Sequence, residues 1–222
     1  MPVGPHVLHR GAHTGAGPLR VHDIERLSAL LEWLESYVSR PHERLGRSGI
    51  VCPFVPISMR TDAMEFVVHR EVTGADRAEL ARVVEAHAAE FASSAAGTAA
   101  ERRRRSLLLV FPSMTGAHQE SLDSVHTDLK TAMVRNGLMF GQFHSRCPDG
   151  AVRNPDFKVS LSPVPCVAIR YMAPHDILFL HDRPEWFGEY RRRFGGDYRR
   201  GKVKDPHMIE LFRKAESSEE AR

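Results

Sequence analysis

The sequence predicts an α/β chain, possibly α+β in formal terms, with one mixed sheet of about four strands and helices packed on it. Three observations carry that expectation. Helix-period and strand-period segments alternate along most of the 222 residues. Ser106 to Phe111 (SLLLVF) is apolar along its length, the pattern of a central strand covered on both faces. Leu138 to Leu180 holds two further strand patterns around a turn-rich loop, and most of the residues capable of chemistry.

Residues 1–20 carry glycine, proline and histidine without periodicity and are expected to form a flexible arm. Residues 21–216 should form one globular domain, and 217–222 a charged tail. Helix one is predicted from Asp23 as N-cap, with Ile24, Leu27, Leu31, Leu34 and Val38 on one stripe, ending before Pro41. Gly46, Gly49, Pro53 and Pro56 break the next stretch, and a strand follows at Met64 to Arg70. A capping-box pattern at Thr73 to Asp76 opens helix two, with Leu80, Val83, Val84 and Phe91 inward. After the SLLLVF strand, helix three covers about Ala117 to Arg135, with Leu122, Val125, Leu129 and Met133 inward and Asn136-Gly137 as its stop. Leu138, Phe140, Gln142 and His144 then alternate with Met139, Gly141 and Phe143. A strand from Cys166 to Met172 precedes a short helix opened by Pro184 and stopped at Gly195-Gly196. A last helix starts at Asp205-Pro206.

The net charge of +3 does not call for nucleic acid. The runs Arg102 to Arg105 and Arg191 to Lys204 read as solvated faces. No apolar run approaches the ~20 residues of a membrane span, and the N-terminus lacks a secretory h-region. Three cysteines without framework spacing suit a reducing compartment, so the cytoplasm is the expected location.

Cysteine-proline occurs at Cys52-Pro53 and Cys147-Pro148, a setting compatible with an accessible thiolate ligand. Cys147 and Arg153 have the spacing of a cysteine phosphatase loop, but Asn154-Pro155 blocks the helix that loop must open. His144, His175 and His181 with Asp176 and Asp182 supply the residue types of a non-haem iron site without its tight spacing. Arg170 lies among apolar strand neighbours, so Asp176, Asp156 or an anionic ligand should meet it. His144 and Arg170 flank one long loop and are expected to face a single cleft.

The segments VCPFVPIS (51–58), GQFHSRCPDGAVRNPDF (141–157) and SPVPCVAIRYMAPHDILFL (162–180) resemble an uncharacterised bacterial family of unknown function. More distantly, the early cysteine turn, the buried strand before a long helix and the late arginine-bearing strand resemble the YqcI/YcgG family. Some members of that family are haem-dependent oxygenases acting on the nitrogen of amino-acid-like or guanidine-like substrates. The resemblance implies a haem-dependent oxygenase of small-molecule biosynthesis. His144 is then the first choice of axial and metal ligand, His118 or His126 the next, and Cys52 the thiolate alternative. Arg170 serves as anion partner for the propionates or a substrate carboxylate. The rival expectation is a cofactor-free accessory protein that binds a small anion around Arg170. A small-molecule substrate is the expected partner, a homodimer is left open, and no membrane is involved.

Overall fold

The computed structural model describes residues 12–14, 18–94 and 97–220. The chain runs β1 (Ala12–Thr14), α1 (Val21–Trp33, continued by a π-turn over Leu34–Val38), α2 (Phe54–Arg60), β2 (Met64–Val68), α3 (Arg77–Ser93) and α4 (Ala99–Arg102). It continues β3 (Ser106–Val110), α5 (Ser121–Arg135), β4 (Leu138–Phe143), β5 (Gly150–Ala151), β6 (Asn154–Lys158) and β7 (Cys166–Tyr171). Three helices close it, α6 (Ile177–Leu180), α7 (Pro184–Arg199) and α8 (Pro206–Glu220). None of the described helices is long and apolar enough to cross a membrane.

One mixed sheet has the order β1-β2-β3-β7-β4, and β5-β6 form a separate hairpin inside the long loop. β1, β2 and β3 run parallel, whereas β7 is antiparallel to both β3 and β4. Four of these strands are those marked by the sequence. The fifth, β1, is a three-residue edge strand within the segment read as an arm.

Every residue of β3 is buried, as its uninterrupted apolar pattern requires. Leu107 and Leu109 pack with Leu80, Val84 and Phe91 of α3 and with Leu122, Val125 and Met133 of α5. Leu108 and Val110 face the other way, onto Leu27 and Leu30 of α1 and Leu34 of its π-turn. A third apolar cluster joins α6, α7 and α8 to Met139 of β4, with Ile177, Phe187, Tyr190 and Phe212 at its centre.

Local chemistry shifts several boundaries. α1 starts at Val21, so Asp23 is not its N-cap; its carboxylate instead accepts from the Arg20 N–H, 2.8 Å away. The buried positions on α1 are Asp23, Leu27 and Leu30, while Ile24 is 44% exposed. Asp76 caps α3 by accepting from the N–H groups of Ala78 and Glu79. α7 runs through Gly195-Gly196 rather than stopping there. Gly195 is buried within α7, where an added Cβ would meet Arg191 Cγ of the same helix at 3.2 Å and Phe212 of α8 only at ordinary contact distance, 3.7 Å. α8 extends to Glu220, taking in much of the segment read as a tail.

Candidate metal centre

Strand parity decides which side chains meet. Leu138 and Phe140 of β4 face α5, while Met139 and Phe143 face the opposite layer. The same alternation carries Gln142 and His144 to the α5 side, where both reach Asp123 in the first turn of that helix. On β7, Cys166 and Ala168 belong to the opposite face, and Arg170 follows them. Register pairs Arg170 with Met139 at one end of β4, and Cys166 with Phe143 at the other. His144 and Arg170 therefore lie on opposite faces and at opposite ends of the strand pair. The single cleft expected for them does not form, because the antiparallel pairing sets Cys166 rather than Arg170 opposite the loop end of β4, and Arg170 lies at the far end of β7 on the other face.

Around His144 the geometry is tight. The imidazole is fully buried. Its Nδ1 accepts from the Arg146 N–H at 3.3 Å, and Nε2 lies 3.1 Å from Asp123 Oδ1. That pattern assigns the ring proton to Nε2, which donates it to the carboxylate. Gln142 Nε2 donates to Asp123 Oδ1 at 3.2 Å and to Asp149 Oδ2 at 3.0 Å, so one amide bridges two carboxylates. Its Oε1 is buried without a hydrogen-bond partner among the described residues. Cys147 Sγ sits 3.9 Å from Asp123 Oδ1 and 3.7 Å from the Gln142 carbonyl. Burial pushes the Cys147 thiol up to about 12. The accessible thiolate expected at Cys147-Pro148 is thus a buried, protonated thiol.

Donor atoms of Asp123, His144 and Cys147 all lie within 4.8 Å of one another. A tetrahedral ion holding such ligands at ~2.0–2.3 Å spaces its donors ~3.2–3.8 Å apart, so a small contraction completes a three-donor site. The Asp123 side chain remains 26% exposed and Asp149 is exposed, which leaves the cluster open on its carboxylate side.

The other sequence candidates fall elsewhere. His126 is half-buried one turn along α5 and gives Nε2 to the Phe140 carbonyl at 3.2 Å. Burial, with the Lys130 charge adding to it, brings its pKa down to about 4. His126 and Cys147 together cap two outward carbonyls of β4, Phe140 and Gln142, which protects an exposed sheet edge. His118 is exposed on the 3₁₀ turn before α5. Cys52 is half-buried on the far face, packed against the cluster of Leu27, Leu30 and Leu34. Arg170 gives Asp176 two hydrogen bonds, at 2.8 and 2.6 Å, and stacks on Phe54 at 4.1 Å. Asp176 is fully buried and also accepts from the Ala173 N–H at 2.7 Å. Of the partners named for Arg170, Asp176 is the one that meets it.

The profile of a domain of unknown function, DUF6875, matches residues 27–205. The chain belongs to the DUF6875 family. No curated protein and no solved structure matches it. The matched segment contains both the Asp123–His144–Cys147 cluster and the Arg170–Asp176 pair of this DUF6875 chain.

Sequence reading placed His144 at the centre but missed Asp123, Gln142 and Asp149 as its companions. Gln142, His144, Cys147 and Asp149 are close enough along the chain to be grouped by spacing. Asp123 is 21 residues before His144 and joins only because α5 packs on β4.

Proposed function

We propose that this chain is a metal-dependent enzyme acting on a small-molecule substrate, with a zinc-class ion held by Asp123, His144 and Cys147. The observation that carries the reading is the convergence of an oxygen, a nitrogen and a sulfur donor within 4.8 Å. A mixed N/O/S set suits Zn²⁺ or its first-row neighbours rather than Mg²⁺ or Ca²⁺, which take oxygen. Three protein donors leave one position for water or substrate, the pattern of catalytic rather than structural zinc sites. Such an ion acts as a Lewis acid on a substrate oxygen or on bound water. Gln142 fixes the orientation of Asp123 and holds Asp149 beside it. Binding requires the Cys147 thiol to lose its proton and the His144 proton to leave Nε2 for Nδ1, which gives up the hydrogen bond from the Arg146 N–H.

The haem-dependent oxygenase rests on the YqcI/YcgG resemblance, and this geometry favours it less. A haem needs room for a macrocycle beside its axial ligand, whereas His144 is fully enclosed, and Cys52 lies across the sheet from it. Expression with both haem precursor and zinc supplied separates the two. The metal-enzyme reading expects about one first-row metal per chain by elemental analysis and no Soret band. A Soret band that disappears in His144→Ala, with no stoichiometric metal, overturns it in favour of haem.

A further inference from the structure

Trp186 near the start of α7 is flanked by two cations. Lys130 Nζ of α5 lies 5.4 Å from the ring centre, and the Arg183 guanidinium carbon 4.7 Å. Phe179 of α6 adds a second ring, 6.0 Å from Lys130 and 45% exposed. The indole is held in place, since its Nε1 donates to Thr131 Oγ1 at 3.0 Å. Among the described residues, neither cationic head has a hydrogen-bond or ion-pair partner. Contact with a ring face attracts a cation but satisfies none of its N–H donors.

We infer that Lys130, Arg183, Trp186 and Phe179 form a binding subsite for a small organic anion, an apolar body ending in a carboxylate. The guanidinium fork matches a carboxylate, the ammonium adds a second charge, and the two rings supply an apolar wall. A singly charged carboxylate fits better than a phosphate dianion, because Asp149, Asp176 and Asp182 also act on Lys130. Asp182, next to Arg183, is exposed and makes no ion pair among the described residues, so it competes with the ligand for both cations. Lys130 lies seven residues from Asp123, about two helical turns or ~10 Å along α5. A ligand anchored here can extend toward the proposed metal, but the subsite does not depend on that ion.

The chain has two tryptophans, so Trp33→Phe leaves Trp186 as the sole indole reporter. That variant is titrated with cyclohexanecarboxylate at fixed ionic strength, with and without added Zn²⁺. The uncharged cyclohexylmethanol serves as control. Calorimetry on the unsubstituted chain reads the same binding should Trp33→Phe fold poorly. The expected result is a saturable change in Trp186 emission without Zn²⁺, at least tenfold weaker in Lys130→Met and in Arg183→Met, and tighter in Asp182→Asn. Absence of saturable binding by both methods overturns the inference. Equal affinity in the Lys130→Met/Arg183→Met double variant, or equal binding of the alcohol, overturns it as well. Binding that appears only with Zn²⁺ and survives the double variant assigns the anion to the metal centre instead.

Discussion

Arg170 and Asp176 form a two-pronged ion pair, one partner fully buried and the other 18% exposed at its side chain. Burial works against the Arg170 charge, but Asp176 more than offsets it and raises the pKa. Removing one member leaves the other charged in a dry site, which costs far more than the pair contributes to stability. Arg170→Ala should therefore lower stability by ~3–5 kcal/mol in urea unfolding, and Arg170→Ala/Asp176→Ala by less than the sum of the single changes. A loss below ~1 kcal/mol in the single variant would show that Arg170 is not a structural partner. His126 makes a prediction in pH. Its folded pKa, about 4, lies below the ordinary 6.5, so the unfolded chain binds the extra proton first as pH falls. Lys130 adds to the effect of burial, while Asp123 and Asp149, with the Phe140 carbonyl, oppose it. Stability should be complete above pH 6.5 and fall by up to ~3 kcal/mol by pH 4. His126→Gln keeps a donor for Phe140 and should flatten that slope, as the difference between two urea–pH series would reveal.

At the scale of elements, β3 was the most legible part of the sequence because a strand covered on both faces has no polar position to confuse the pattern. Leu109 is fully buried, between Val67 of β2 and Val167 of β7 in register. Leu109→Ala should cost ~2–5 kcal/mol, measured by denaturant unfolding, and a cost below ~1 kcal/mol would contradict its central place. The inner face of α5 was equally legible, since Leu122, Val125, Leu129 and Met133 follow the helical period and are all buried. What periodicity could not supply was strand order and direction. β7 inserts between β3 and β4 and runs against both, and that placement sends Arg170 away from His144. Gly195-Gly196 misled for a related reason: α7 runs through both, and its Phe187, Tyr190 and Phe194 pack with Phe212 of α8, a partner that local sequence does not reveal. Asp123 belongs to the same class, a helix residue whose meaning appears only when α5 is laid on β4.

In the whole molecule, the Arg170–Asp176 pair and the donor cluster lie on opposite faces of the sheet, although both members of the pair also act on Lys130. On one side the Arg170–Asp176 pair ties β7 to the turn before α6, next to Phe54 at the start of α2. On the other, α5 carries Asp123, His126 and Lys130 at successive turns, from the donor cluster to the cationic ring site. The chemistry proposed here occupies the α5 side, while the far side is accounted for by stability. This division explains why a reading centred on His144 and one centred on Arg170 cannot describe a single pocket. The most direct test is a Co²⁺ titration of the purified, metal-stripped chain, followed by absorption. If Cys147 and His144 bind the ion, a thiolate-to-cobalt charge-transfer band should grow to one equivalent and release protons. It should vanish in Cys147→Ser and weaken in Asp123→Ala and His144→Ala, while Cys52→Ser leaves it intact. A featureless titration, or a band that persists in Cys147→Ser and is lost in Cys52→Ser, contradicts the assignment.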